Sequence, residues 1–280
     1  MNAPLLVAPA TLAEAVGELD ALGGDAALLA GGTWVMRAQH RGEPFAHAYV
    51  SLLEVPELAG ATLGERSSLG ALLTHEDLAA LDPDAGPLGA VAQAARTSAF
   101  PAIRAVATLG GNLCAAGFRE AELSAALLAL DAEVEVVSPA GTTILPLDTY
   151  LDTRPAGILS RAHVPCPAGR RSAYRRLTVL RGSEYPVCGV ATSFTLDGGA
   201  IRRASVVAAA VDARPRLLTT AAEALDGVDA VDEAAVLAAG RAGAAELPEH
   251  NGLDAPGWYR LAVLPALLRD AVSAAAGGSA

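Results

Sequence analysis

The chain contains no lysine: all 20 basic residues are arginine. That excludes a nucleotide P-loop, whose phosphate-binding turn carries a lysine. The arginine bias accompanies a very high alanine content, which reflects codon usage before any function. Cysteine is scarce as well. Cys114, Cys166 and Cys188 are widely spaced and odd in number, fitting neither a disulfide framework nor the clustered ligands of a zinc or iron–sulfur site, so they read as ordinary thiols. Long hydrophobic runs are missing too. Leu123 to Leu130 is far shorter than the ~20 residues a membrane span requires. A basic excess is absent: the net charge of −11 argues against nucleic acid as a partner. Residues 1–10 lack the basic start and apolar stretch of a secretory leader, so the expected location is cytoplasmic.

Catalytic clusters are equally hard to find. His40, His47, His75, His163 and His250 have no carboxylate or cysteine at catalytic or metal-ligand spacing and are expected to be structural or surface residues. Ser98 and Ser124 lack a G-x-S-x-G setting, which leaves no case for hydrolase chemistry.

What remains is a folded chain of 280 residues, 52% apolar, long enough for one large domain or two to three smaller ones. Thr11-Leu12-Ala13-Glu14 has the capping-box pattern and predicts a helix to about Ala21. Strands are expected at Leu28–Leu29 and at 48–55, completing a small βαβ-like unit. A second unit begins near Leu58. It has a strand over 68–74, a short helix opened by Thr74, helices over 87–99 and 120–130, a hairpin of 133–138 with 143–147, and a last strand over 157–164. Pro165-Cys166-Pro167-Ala168-Gly169 reads as a linker. Beyond it, 187–196 and 201–211 form a hairpin around Gly198-Gly199. Helices then follow at a capping box, Thr220 to Glu223, at 232–245, and at 258–275, the last interrupted by Pro265. The fold class is α+β, with units at 1–57, 58–166 and 170–280.

Two glycine pairs stand out, Ala30-Gly31-Gly32-Thr33 and Thr108-Leu109-Gly110-Gly111-Asn112. Glycine allows positive φ and close approach to a ligand, and successive amides in such turns make a concave nest for anionic oxygen. The hydroxyls of Thr33 and Thr108 and the amide of Asn112 add side-chain donors. Together the pairs read as two halves of a cradle for a diphosphate.

"LLAGGTWVMRA" at 28–38, "LGALLTH" at 69–75, "ATLGGNLC" at 107–114, "AELSAALLALDAEVEV" and the closing "WYRLAVLPALLRDAV" resemble the FAD-binding medium subunits of molybdenum hydroxylases, the xanthine dehydrogenase and carbon monoxide dehydrogenase family. The resemblance covers nearly the whole chain. It implies a PCMH-type FAD-binding domain of two subdomains, followed by a domain with an antiparallel sheet and helices. By carry-over, Leu28, Leu29, Ala30, Gly31, Gly32, Thr33, Trp34 and Val35 and the segment Thr108, Leu109, Gly110, Gly111, Asn112 wrap the diphosphate and ribityl chain of FAD. Trp34, taken by itself, reads more simply as packing. Glu122 is the candidate for the family's aspartate after the second motif. It is one methylene longer, and "AAGFREAEL" replaces the commoner "ASPAADL" with one extra residue. Leu159 falls where an apolar residue packs beside the flavin, and Arg175 falls where many relatives carry lysine, supplying a cation for the anionic reduced flavin. Tyr185 stacks near or gates the ring.

The family implies further partners. A large molybdopterin subunit and a small [2Fe-2S] subunit are expected, as a dimer of heterotrimers, with NAD+, a quinone or oxygen as the electron acceptor. No catalytic residue and no metal ligand is assigned to this chain. Two alternatives are a stand-alone PCMH-type flavin oxidoreductase and a non-catalytic α+β binding or scaffold protein.

Overall fold

A computed structural model describes residues 4–82, 86–179, 185–252 and 254–277. The first body contains β1 (Leu5–Val7), α1 (Leu12–Leu22), β2 (Ala26–Leu29) and β3 (Ala48–Ser51). The Thr11 hydroxyl accepts the Glu14 N–H at 3.2 Å, while the Glu14 carboxylate turns back to the Ala10 N–H at 2.9 Å. Ala15 and Val16 are buried in a core that also holds Val50, Leu52 and Val55. The three strands are parallel in the order β1-β3-β2. Strand β1 was not anticipated, because three residues are too few to display a period. As an edge strand, β2 releases the chain into the first glycine pair with one side of its backbone unpaired.

The second body is a five-stranded antiparallel sheet, order β4-β5-β8-β6-β7, built from β4 (Ala61–Thr62), β5 (Arg66–Gly70), β6 (Glu133–Ser138), β7 (Gly141–Pro146) and β8 (Ile158–Pro165). The strand expected over 68–74 ends at Gly70, where the chain folds back with Leu73 N–H on Gly70 O. Its helices are α2 (His75–Ala79), α3 (Gly89–Thr97), α4 (Pro101–Arg104), α5 (Leu109–Cys114), α6 (Glu122–Leu128) and α7 (Leu147–Thr153). Every residue of α6 is buried, as suits a helix enclosed on all sides. Leu123 and Leu127 each contribute roughly 1.5–3 kcal/mol by leaving water.

The third body pairs β9 (Arg171–Leu177), β10 (Cys188–Asp197), β11 (Ala200–Ala209) and β12 (Arg216–Leu217) antiparallel, with α8 (Thr219–Leu225), α9 (Glu233–Ala244) and α10 (Gly257–Ala276). Gly198 and Gly199 both have positive φ in the β10–β11 turn, as a two-residue hairpin turn of this hand requires. Two local expectations fail here. The capping box at Thr220 does not form: α8 begins at Thr219, and Glu246, from beyond α9, accepts the Thr220 N–H at 2.7 Å. Nor does Pro265 interrupt α10, which runs unbroken through it. Gly240 of α9 makes room, since a Cβ there would lie 2.6 Å from Pro265 Cα.

Strand β9 docks the third body on the second. Its exposed edge is covered by α3: Gln93 Oε1 accepts the Tyr174 N–H at 2.8 Å, and Ser172 Oγ bridges Ala90 N–H and Pro87 O. An edge strand capped in this way cannot recruit another chain. It also fixes which β9 side chains face the site described next.

Candidate cofactor site

Where the three bodies meet is a cavity of about 340 Å³, lined by both glycine motifs, α2, the segment 115–122, β8 and Tyr185. Gly32 has φ +72°, and Met36 N–H closes on Gly32 O to start the helical turn Val35–Arg41. Among the described residues, the amides of Gly31, Gly32, Thr33, Trp34 and Val35 meet no acceptor. They form a ready anion nest at the cavity wall. Gly31 is required for another reason: a Cβ would sit 1.7 Å from Val106 O, so the backbones of the first motif and of the segment leading into the second lie in contact.

The second motif departs from the nest expectation. It is the first turn of α5, not an open loop, and its amides are already bonded: Leu109 N–H to Leu73 O, Gly110 N–H to Ala71 O, both at 2.8 Å, Gly111 N–H to Thr108 Oγ1 at 3.1 Å, and Asn112 N–H to Thr108 O at 2.9 Å. Gly110 is needed because a Cβ would come 2.9 Å from Ala71 Cβ. The motif therefore shapes and walls the cavity without donating these amides to it. Among the described residues Asn112 Oδ1 is buried without a hydrogen-bond partner, and Asn112 lines the cavity.

One end of the cavity is aromatic. Trp34 packs on Phe118 with ring centroids 4.8 Å apart, Phe118 meets Tyr185 edge-on at 5.8 Å, and Arg37 donates to Tyr185 Oη at 2.5 Å. Arg41 covers the outer face of Trp34 at 3.9 Å, a cation–π contact that holds the indole in place. The packing reading of Trp34 and its place on the cavity wall are both satisfied.

Glu122 closes the wall toward the third body. Tyr174 donates to its Oε1 at 2.9 Å, and Arg176 Nη1 donates to Oε1 at 2.9 Å and Oε2 at 2.7 Å. Burial pushes its carboxyl up to about 7, against the opposing pull of Arg176 and the Tyr174 hydroxyl. Gly189 on β10 permits the arrangement, since a Cβ there would strike Tyr174 Oη at 2.2 Å. Cys114, lower on the wall, is open to the cavity yet enclosed by protein; burial raises its thiol, and Tyr150 shares a hydrogen bond with it at 3.1 Å.

The cavity gathers Leu28, Ala30 to Val35, Thr108, Gly110, Gly111, Asn112, Glu122 and Leu159, and leaves out Leu29, Leu109 and Arg175. Leu109 points into the core of the second body. Arg175 is displaced by strand alternation: Tyr174 and Arg176 reach Glu122, while Arg175 turns toward Gln93 at 2.9 Å. Sequence reasoning passed over Phe118, Arg37 and Arg176 and treated His75 as merely structural. The clue for His75 was its place directly after Thr74, whose capping box opens α2.

The match to known proteins follows this geometry. Residues 2–166 match the family described as the FAD binding domain in molybdopterin dehydrogenase, and residues 172–275 match the CO dehydrogenase flavoprotein C-terminal domain. This chain belongs to that family of FAD-binding subunits. It is 38% identical over 144 residues to a xanthine dehydrogenase FAD-binding subunit of Escherichia coli O157:H7, an alignment that spans 50% of this chain and 48% of the relative. About half the length of such xanthine dehydrogenase relatives is thus aligned. Similarity to the carbon monoxide dehydrogenase medium chain of Afipia carboxidovorans is 29% over 279 residues, covering 95% and 94% of the two chains. A solved structure, the reconstituted CO dehydrogenase from Oligotropha carboxidovorans, superposes with a TM-score of 0.90 at 26% identity, over 99% of each chain. The resemblance read from the motifs, the α+β architecture and FAD as cofactor all stand. The cavity fits FAD on its own terms, with a glycine nest of unbonded amides for the diphosphate, an aromatic end for the ring, and orphaned acceptors on the wall. Among the described residues, no helix is long and apolar enough to cross a membrane.

Proposed function

We propose that this chain is the electron-transfer subunit of a molybdenum hydroxylase, taking electrons from [2Fe-2S] clusters of a small partner and passing them to an external acceptor. Substrate oxidation then belongs to a large molybdopterin subunit. The three chains pair as a dimer of heterotrimers in the cytoplasm, and the acceptor is NAD+, a quinone or oxygen. The observation that carries this reading is the composition of the cavity wall, in which a loop of unbonded amides, an aromatic end and buried polar groups together suit the binding and orientation of a dinucleotide.

FAD supplies the chemistry, since flavin exchanges electrons in single or paired steps. The protein's part is binding and electrostatics. Amides 31–35 take the diphosphate, and Leu159 with Trp34, Phe118 and Tyr185 flanks the ring and excludes water. Glu122, held by Arg176 and Tyr174, orients the polar chain between them. Arg175, the cation the resemblance points to, is held by Gln93 and the Tyr174 carbonyl, while Arg176 fixes the Glu122 carboxylate. FAD-binding units at 1–57 and 58–166 and a third unit at 170–280 divide these roles.

The test is the visible spectrum of the chain purified alone and then with its native neighbours, with molybdenum and iron analysis of the second sample. Flavin in the first and both metals in the second is the expected result. Flavin with turnover but no partners supports a stand-alone oxidoreductase instead, and a colourless chain points to a scaffold protein.

A further inference from the structure

His75 is 5% exposed and lines the cavity, yet its Nε2 has no partner among the described residues. Its protonation pattern can be worked out from its neighbours. Ser98 Oγ lies 3.0 Å from Ala95 O and 2.7 Å from His75 Nδ1; its single proton, when given to the Ala95 carbonyl, leaves it to accept from Nδ1. In that arrangement the ring proton is on Nδ1 and Nε2 is a bare lone pair. Such an atom repels phosphate oxygen and binds only a group that donates a hydrogen bond.

Position narrows the donor. The first glycine motif lies midway along the cavity by its contacts. At its Trp34 side come Phe118 and Tyr185, the aromatic end. At its Gly31 side comes Val106, then Ala107, whose carbonyl accepts the His75 N–H at 2.8 Å. Ser98 and Ala107, which contact His75, share the cavity wall with Ala99 and Ile103, all from the second body. With the diphosphate on amides 31–35 and the flavin ring at the aromatic end, the adenosine half extends toward His75.

We infer that His75 Nε2, its tautomer locked by Ser98, is an acceptor that selects FAD over FMN by receiving a hydrogen bond from the adenosine half, either the adenine amine or a ribose hydroxyl. This rests on the FAD reading of the same cavity. Burial, aided by the nearby Arg104, holds the imidazole down at about 4, which keeps the acceptor bare at neutral pH. Leaving the cofactor's donor unpaired in a dry site removes affinity on the order of tenfold.

The experiment titrates flavin-free full-length protein with FAD, FMN and flavin hypoxanthine dinucleotide, following quenching of flavin and tryptophan fluorescence, with circular dichroism as the folding control. His75→Phe is expected to weaken FAD by about tenfold and leave FMN within about twofold, and His75→Gln, which restores a distal acceptor, to recover most of the loss. Ser98→Ala, which frees the tautomer, gives a smaller loss for FAD alone and carries the test if His75→Phe does not fold. The hypoxanthine analogue locates the donor: wild-type protein binding it as weakly as His75→Phe binds FAD assigns the amine, and normal binding assigns a ribose hydroxyl. Unchanged FAD affinity in the folded variants, or an equal loss for FMN, overturns the inference. Wild-type protein that binds no flavin overturns the cofactor reading itself.

Discussion

The loop after β2 and the start of α5 both set a glycine pair beside a threonine at one cavity wall. The first leaves the amides of Gly31 to Val35 without protein acceptors, whereas the second commits those of Leu109, Gly110, Gly111 and Asn112 to Leu73, Ala71 and Thr108. The difference traces to what each segment follows. The first leaves an edge strand, and the Val106 carbonyl packed against Gly31 accepts none of its amides. The second runs against the 71–74 backbone, joined by the Thr74–Thr108 bridge, and begins a helix whose N-terminal donors must be satisfied. Similar glycine patterns thus make a donor loop and a scaffold, and the scaffold's neighbours His75, Asn112 and Glu122 give the cavity an acceptor wall.

Gly31→Ala should break the comparison most severely. A methyl 1.7 Å from Val106 O cannot be relieved by side-chain motion, so a loss of about 3 kcal/mol or more is expected, read as a fall in melting temperature with flavin released on purification. Gly111→Ala, whose Cβ would press only on the Thr108 side chain at 2.9 Å, should retain flavin.

The acceptor wall responds next, through pH. Glu122 has a carboxyl raised to about 7 in the fold, so the stability it contributes is complete below its ordinary 4.5 and lost as pH rises through 7. His75, lowered to about 4 from 6.5, does the reverse: its contribution is present above 6.5 and lost as pH falls toward 4. Each amounts to roughly 3 kcal/mol at most, and they oppose one another where the windows overlap. Thermal melts of Glu122→Gln from pH 4.5 to 7.5 should show a lower melting temperature throughout, because Arg176 is left unpaired, and no decline above pH 6.5. A decline equal to wild type would rule out Glu122 as its source.

Smaller effects sharpen the picture. Gly32→Ala meets no close neighbour but strains a φ of +72°, costing about 1–2 kcal/mol. It should weaken FAD by turning the nest amides while leaving FMN and FAD in their wild-type ratio. Thr108→Val removes the cap on Gly111 N–H and should cost about 1 kcal/mol by chemical denaturation, with flavin still bound at full occupancy.

Much of this was legible along the chain. The Thr11 and Thr74 caps, the Gly198-Gly199 turn and the paired motifs are local patterns, and local backbone chemistry decides them. Arg175 lies off the cavity wall because strand phase depends on which face docks, and Gln93 on α3 sets that. The Thr220 cap was misread because Glu246, 26 residues away, took its role. Phe118, Tyr185 and Trp34 come from three distant segments, and no spacing announces that they meet.

By itself the sequence determined the longer helices, the Thr11 and Thr74 caps, the Gly198-Gly199 turn and the flavin family, since propensity, capping and glycine conformation act over a few residues. Only the tertiary structure decided which amides of the described residues stay free, which arginine reaches Glu122 and that His75, a residue of the cavity wall, keeps Nε2 without a described partner. Each depends on acceptors and steric limits contributed by segments far apart in the chain, and a hydrogen bond is spent or spared only when those segments come together.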